Sequence, residues 1–206
     1  MALVVVGGHS RSVGKTSVVA GLIAALPERR WLAIKITQFG HGVCAVNMED
    51  CDCAPQDHGW AITEESDRSG KSDSSRFLAA GAARALWVRT KQGMLAEAMP
   101  GLRRELAGAE NVIVESNSVL RFLRPDLYLP VLDPATADFK TTSREFLDRA
   151  SAVVLHQPPP SGFAWDGVSL KPVAGRPIFF IRPPEYVTPE LVEFVRAQLA
   201  LLETRN

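Results

Sequence analysis

Residues 3–20, LVVVGGHSRSVGKTSVVA, constrain this chain more than any other stretch. A short run rich in β-branched residues reads as a strand buried on both faces, and Gly7 and Gly8 end it where the backbone must turn. A polar loop follows, closing on Gly14-Lys15-Thr16, and then a good helix. In that order the amides of Ser10, Arg11, Ser12, Val13, Gly14, Lys15 and Thr16 can curl around an anion, while the start of the helix adds its positive dipole end. Lys15 reaches β- and γ-phosphates as a point charge, and the Thr16 hydroxyl is the group that holds Mg²⁺. Gly8 and Ser17 bound the nucleotide-contacting stretch. The expected ligand is a nucleoside triphosphate with Mg²⁺.

The loop departs from the standard spacing. Gly8 and Gly14 enclose five residues, HSRSV, in place of four, and His9 stands where the first glycine of the usual pattern would fall.

Composition narrows the partners. Lys plus Arg equals Asp plus Glu at 23 each, so no overall basic field invites nucleic acid and no acidic bias suggests a solvating tail. No apolar run approaches the ~20 residues that cross a bilayer, and the amino terminus enters its strand directly, so a cytoplasmic chain with no membrane partner is expected. The 206 residues suit one domain, residues 1–206, with a Cys/His-containing insertion at about 40–60.

Apolar strands alternate with helical patterns. Strands are expected at 31–37, 84–89, 111–115, 127–132, 152–156 and 177–181. Helices are expected at 72–83, 92–106 and 142–150, and a C-terminal one is capped by Thr188 with Pro189 and Glu190 in its first turn. The segment from 38 to about 60 has no helical period and reads as a long loop. This alternation predicts an α/β fold, a mostly parallel central sheet in three layers with helices on both faces, and ligands beyond the carboxyl ends of the strands.

The polar residues that end those strands are therefore the next candidates. Lys35 lies near the end of the second strand and Glu115 ends NVIVE. A carboxylate at a buried strand tip beside a phosphate loop can hold Mg²⁺ or orient the attacking group. Asp133, which precedes Pro134, reads instead as a turn initiator. What Asn117, Arg121, Arg124 and Asp126 face is open.

With the loop, Lys35, the run Gly70-Lys71-Ser72-Asp73-Ser74-Ser75-Arg76, the turn Ala80-Gly81-Ala82 and Glu115 in order, the chain resembles molybdopterin-guanine dinucleotide biosynthesis protein B over about half its length. The resemblance implies a P-loop NTPase fold and a GTP-binding protein of the broad class that includes the metallochaperone GTPases, often a homodimer. It implies that Lys15 and Thr16 hold phosphate and Mg²⁺, that Asp73 is the switch-region carboxylate, and that Glu115 approaches the metal. Lys35 becomes a phosphate or substrate contact. The five-residue gap, Lys35 and Glu115 also resemble dethiobiotin synthetase, which implies an ATP-dependent ligase or kinase acting on a small metabolite. No Asn-Lys-x-Asp guanine motif follows a late strand, so GTP and ATP both stand.

Neither resemblance covers residues 41–58, HGVCAVNMEDCDCAPQDH. Cys44, Cys51 and Cys53 with His41 or His58 form a candidate Zn²⁺ site, since thiolates with imidazole suit that ion. The other reading is a set of reduced thiols in an irregular loop. A zinc-clipped nucleotide-binding module without turnover is the third functional reading, and an unidentified small-molecule or protein partner belongs to all three.

Overall fold

The computed structural model describes residues 1–40, 59–160 and 162–204. Its frame is an eight-stranded sheet: β1 (Ala2–Gly8), β2 (Leu32–Phe39), β3 (Trp60–Glu64), β4 (Arg84–Lys91), β5 (Asn111–Glu115), β6 (Leu127–Leu132), β7 (Val153–His156) and β8 (Ile178–Ile181). They lie in the order β3-β4-β2-β5-β1-β6-β7-β8, and every pair is parallel except β3 with β4.

Alternation along the strands builds two cores. Val4, Val6, Ile113, Leu127 and Leu129 face one side, where α1 (Lys15–Ala25), α2 (Asp73–Ala79) and α5 (Pro189–Glu203) pack with Val18, Leu22, Phe77, Leu191 and Val195. Leu3, Val5, Val112, Val114 and Tyr128 face the other, covered by α3 (Leu95–Ala107) and by Phe146 and Leu147 beside α4 (Thr141–Glu145). Strands buried on both faces read as continuous apolar runs, and those in the middle of this sheet do. The three-layer α/β expectation is met.

Two local readings need correction. Residues 60–64, WAITE, form a strand that is not among those expected from the sequence. They pair antiparallel to β4 at the sheet edge, and Trp60 and Ile62 lie against Gly101 of α3. Only half-covered, with Trp60 38% exposed, this strand lacks the apolar run that marks its neighbours. The helix expected at 142–150 is one short α turn followed by a 3₁₀ turn at Leu147–Arg149. The candidate ligands Cys44, Cys51, Cys53, His41 and His58 lie outside the described residues.

Candidate functional site: a phosphate loop between two strand tips

The loop between β1 and α1 is held open by its own backbone. Ser12 and Gly14 adopt left-handed φ of 55° and 90°, which turns successive amides to one side. No side chain caps α1 at Gly14, so the first amides of that helix are left for a ligand. Gly14 is also crowded: a Cβ there would stand 2.3 Å from the Tyr186 ring.

Neighbouring elements fix the loop in place. Asn117, just past β5, accepts from the Gly8 amide at 2.9 Å and donates to the Gly8 carbonyl at 2.7 Å. Gly7 has no room for a side chain, since a Cβ would lie 2.0 Å from Asn117 Oδ1 and 2.8 Å from the Tyr128 ring. His9 is fully buried and ties the loop to the segment after β6. Its Nε2 accepts from the Asp133 amide at 2.9 Å and its Nδ1 donates to the Asp138 carbonyl at 2.7 Å. The unusual residue in the loop is therefore an internal brace. Burial holds its imidazole below the ordinary histidine range, against the Asp138 carbonyl and the charges of Asp133 and Asp138. On the far side, His156 bonds the Val13 carbonyl through Nε2 at 3.0 Å.

The candidate side chains converge where the carboxyl ends of β1 and β5 lie beside the middle of β2, so Lys35 stands mid-strand and not near the strand end expected from the sequence. Thr16 Oγ1 donates to Glu115 Oε2 at 2.8 Å, and Glu115 is only 2% exposed. Lys35 Nζ lies 2.5 Å from Glu115 Oε1 and 2.7 Å from Asp73 Oδ2, joining strand tip to helix start. Desolvation pushes the Asp73 carboxyl up, but the bond and charge of Lys35, the Thr16 hydroxyl and Arg76 outweigh it and leave it below the usual range. Lys15 Nζ bonds the Ser10 carbonyl at 2.7 Å. Burial pushes its pKa down to about 8, with Lys140 and Lys35 adding to the effect and Glu115 and Asp73 opposing it.

These groups line a cleft of about 960 Å³ that also takes in Gly8, Arg11, Ser12, Gly14, Ser17 and Arg76. Ser10 and Val13 are buried beside it. Ser10 Oγ is turned to Asp138 at 2.8 Å. Hard oxygen donors at Thr16, Glu115 and Asp73 suit Mg²⁺, and Lys35 is the cation that links the two carboxylates here. Among the described residues no group of three or more His, Cys, Asp or Glu side chains is placed to hold a metal.

Several residues have roles that the sequence does not announce. Asn117 clamps Gly8, while Arg121 pairs with Glu145 at 2.7 Å on the surface and Asp126 accepts from the Leu3 amide at 2.8 Å. Asp133 accepts from the Ala135 amide and the Thr136 hydroxyl, the turn expected of it. Arg76 donates to Ser17 Oγ at 3.0 Å from α2, and Lys140 lines the cleft from beyond β6.

The fold is the three-layer α/β fold seen in P-loop NTPases. Among solved structures, HypB from Helicobacter pylori in complex with nickel aligns with a TM-score of 0.53 at 17% identity, over 98% of this chain and 86% of that one. LpxK from Aquifex aeolicus in complex with ATP aligns with a TM-score of 0.49 at 17% identity, over 87% of this chain and 53% of that one. No protein-family model and no curated protein sequence matches the chain.

Proposed function

We propose that the chain binds a Mg²⁺–nucleoside triphosphate, GTP or ATP, and hydrolyses it as a nucleotide switch akin to molybdopterin-guanine dinucleotide biosynthesis protein B. The observation that carries this reading is the 2.8 Å contact between Thr16 Oγ1 and Glu115 Oε2 at the mouth of the loop. A helix-start hydroxyl and a buried strand-tip carboxylate meet beside an uncapped helix and a partly desolvated lysine, and a metal–triphosphate is the ligand that satisfies all four.

In this reading the loop amides and Lys15 hold the phosphates, Lys15 giving up its bond to Ser10. Thr16 and Glu115, with Asp73, are the groups that would hold Mg²⁺, which supplies charge neutralisation at the β- and γ-phosphates. Lys35, fixed between two carboxylates, brings a further positive charge to the same end of the cleft. Phosphoryl transfer asks mainly for positioning and electrostatic stabilisation, and the residues here provide those. Lys15→Ala is expected to weaken triphosphate binding about 10- to 100-fold by the usual worth of a charge-assisted contact. Equal affinity in calorimetric titrations of variant and parent would refute the reading.

The second reading is an ATP-dependent ligase or kinase, and what favours it is the polar room in the cleft beyond the loop and Lys35. It would show nucleotide turnover that stays negligible until a particular metabolite is supplied. For residues 41–58, three cysteines and two histidines within one segment support a Zn²⁺ site. Metal analysis of the purified chain is expected to give one equivalent, lost in a Cys51→Ser, Cys53→Ser double variant that still binds nucleotide.

A further inference from the structure

The cleft holds a second positively charged corner that the loop does not need. Because β6 lies directly beside β1, the chain leaving β6 returns past the loop, and the Lys140 amide bonds the His9 carbonyl at 2.7 Å. Behind it, the amides of Ser143 and Arg144 bond the Lys140 carbonyl at 3.0 and 3.2 Å, so the backbone at this residue is tied on both sides. Lys140, Thr141 and Thr142 then line the same cleft as Ser116 and Ser118, whose hydroxyls lie 3.1 Å apart just past β5.

The charge balance in this corner is one-sided. Asp138, the nearest acid along the chain, has its Oδ2 taken by Ser10 Oγ and its carbonyl by His9. Among the described residues the Lys140 ammonium has no ion pair or hydrogen bond. Burial first, and then Arg11 and Lys35, push its pKa down, with Asp138 the opposing charge. An ammonium held half-buried among like charges is costly unless an anion joins it. A triphosphate on the loop would meet its own donors at the loop amides, Lys15 and Thr16, and leave this corner unmet.

We propose that Lys140, with the hydroxyls of Thr141, Thr142, Ser116 and Ser118, forms an oxyanion pocket for a co-substrate that binds alongside the triphosphate. The proposal rests on the reading that the loop holds a triphosphate. A lysine with rotatable hydroxyls has no fixed fork geometry, so it takes a carboxylate or a phosphate group as a charge with several acceptor oxygens. A co-substrate held here would sit in the same cleft as Lys35 and Glu115.

The test is calorimetric, on the full chain first saturated with Mg²⁺ and a non-hydrolysable triphosphate, with succinate and inorganic phosphate as separate probes. At least one probe is expected to bind the loaded protein, succinate marking a carboxylate pocket and phosphate a phosphoryl one. Lys140→Gln is expected to weaken that probe about tenfold or more while leaving triphosphate affinity within about twofold, and Lys140→Arg to recover part of the loss. Thr142→Val is expected to act in the same direction and serves if Lys140→Gln does not fold. Binding of neither probe to the loaded protein would overturn the proposal. So would a Lys140→Gln protein that loses triphosphate as strongly as it loses the probe, since Lys140 would then be a phosphate contact of the loop. If the parent protein takes no triphosphate in the first titration, the functional reading fails and the proposal with it, a result distinct from the other two.

Discussion

Lys15 carries the clearest consequence of burial. Its pKa is pushed down to about 8, mainly by desolvation, so the unliganded amine begins to lose its proton just above neutrality. A triphosphate favours the charged form and must raise that pKa, so binding above pH 8 takes up a proton. By linkage, affinity is flat below pH 8 and falls by about tenfold per pH unit above it, until the pKa of the complex is reached. Dissociation constants measured from pH 7 to 10 should show that break, and the Lys15→Ala protein should lack it. This residue is legible in the sequence because its setting is local: strand, loop and helix are contiguous, and the loop pattern needs no tertiary information. Glu115 can be singled out for a similar reason, as the polar end of an apolar strand. Lys140 cannot, since it approaches the loop only because β6 neighbours β1, and nothing in FKTTS announces that. His9 looks like a missing glycine and is a brace, because its ring reaches backbone groups more than a hundred residues away.

The loop as an element depends on what clamps it. Asn117 satisfies both the amide and the carbonyl of Gly8 with one side chain, and Gly8 is itself buried, so losing that side chain leaves two backbone groups poorly paired. Asn117→Ala is expected to cost about 1–3 kcal/mol in urea unfolding, the usual penalty for leaving buried polar groups unpaired. The same substitution should weaken nucleotide binding indirectly, because the amides that would face the phosphates start two residues beyond the clamp. An unchanged unfolding midpoint would mean that Gly8 has another partner. Asn117 stands out in the sequence without a readable role, for its partner is fixed by the β1–β5 pairing that brings Val6 beside Glu115. The edge strand β3 is hidden for a different reason. Its residues are half-covered on a single face, so WAITE has neither the apolar run of a central strand nor enough length for clear alternation. The central strands declare themselves through burial, and the edge is visible only through its partner.

Strand order decides where the whole molecule can work. From β1 the sheet grows one way through β5, β2 and β4 to β3 and the other way through β6, β7 and β8. Ligands in open α/β sheets bind outside the carboxyl ends of strands where the order reverses, and here the loop, Glu115, Lys35 and Lys140 come from both directions of growth. A bound nucleotide would therefore bridge segments that are far apart in sequence, from residue 8 to residue 186, and bind only when they are assembled. A ligand of that kind stabilises the fold by mass action, about 2.7 kcal/mol at a hundredfold excess over its dissociation constant. For a chain of this size that corresponds to a rise of about 5–10 °C in melting temperature. Mg²⁺ with GTP or with ATP is expected to produce such a shift in thermal melts, and Lys15→Ala, with binding weakened about 10- to 100-fold, to cut it to about 1–5 °C at the same concentration. The triphosphate that acts at the lower concentration identifies the base, the one part of the ligand for which the loop carries no signal, since amides, Lys15 and Thr16 all address phosphate and metal. A melt unmoved by either nucleotide would separate fold from function, leaving a P-loop NTPase architecture whose loop holds some other anion.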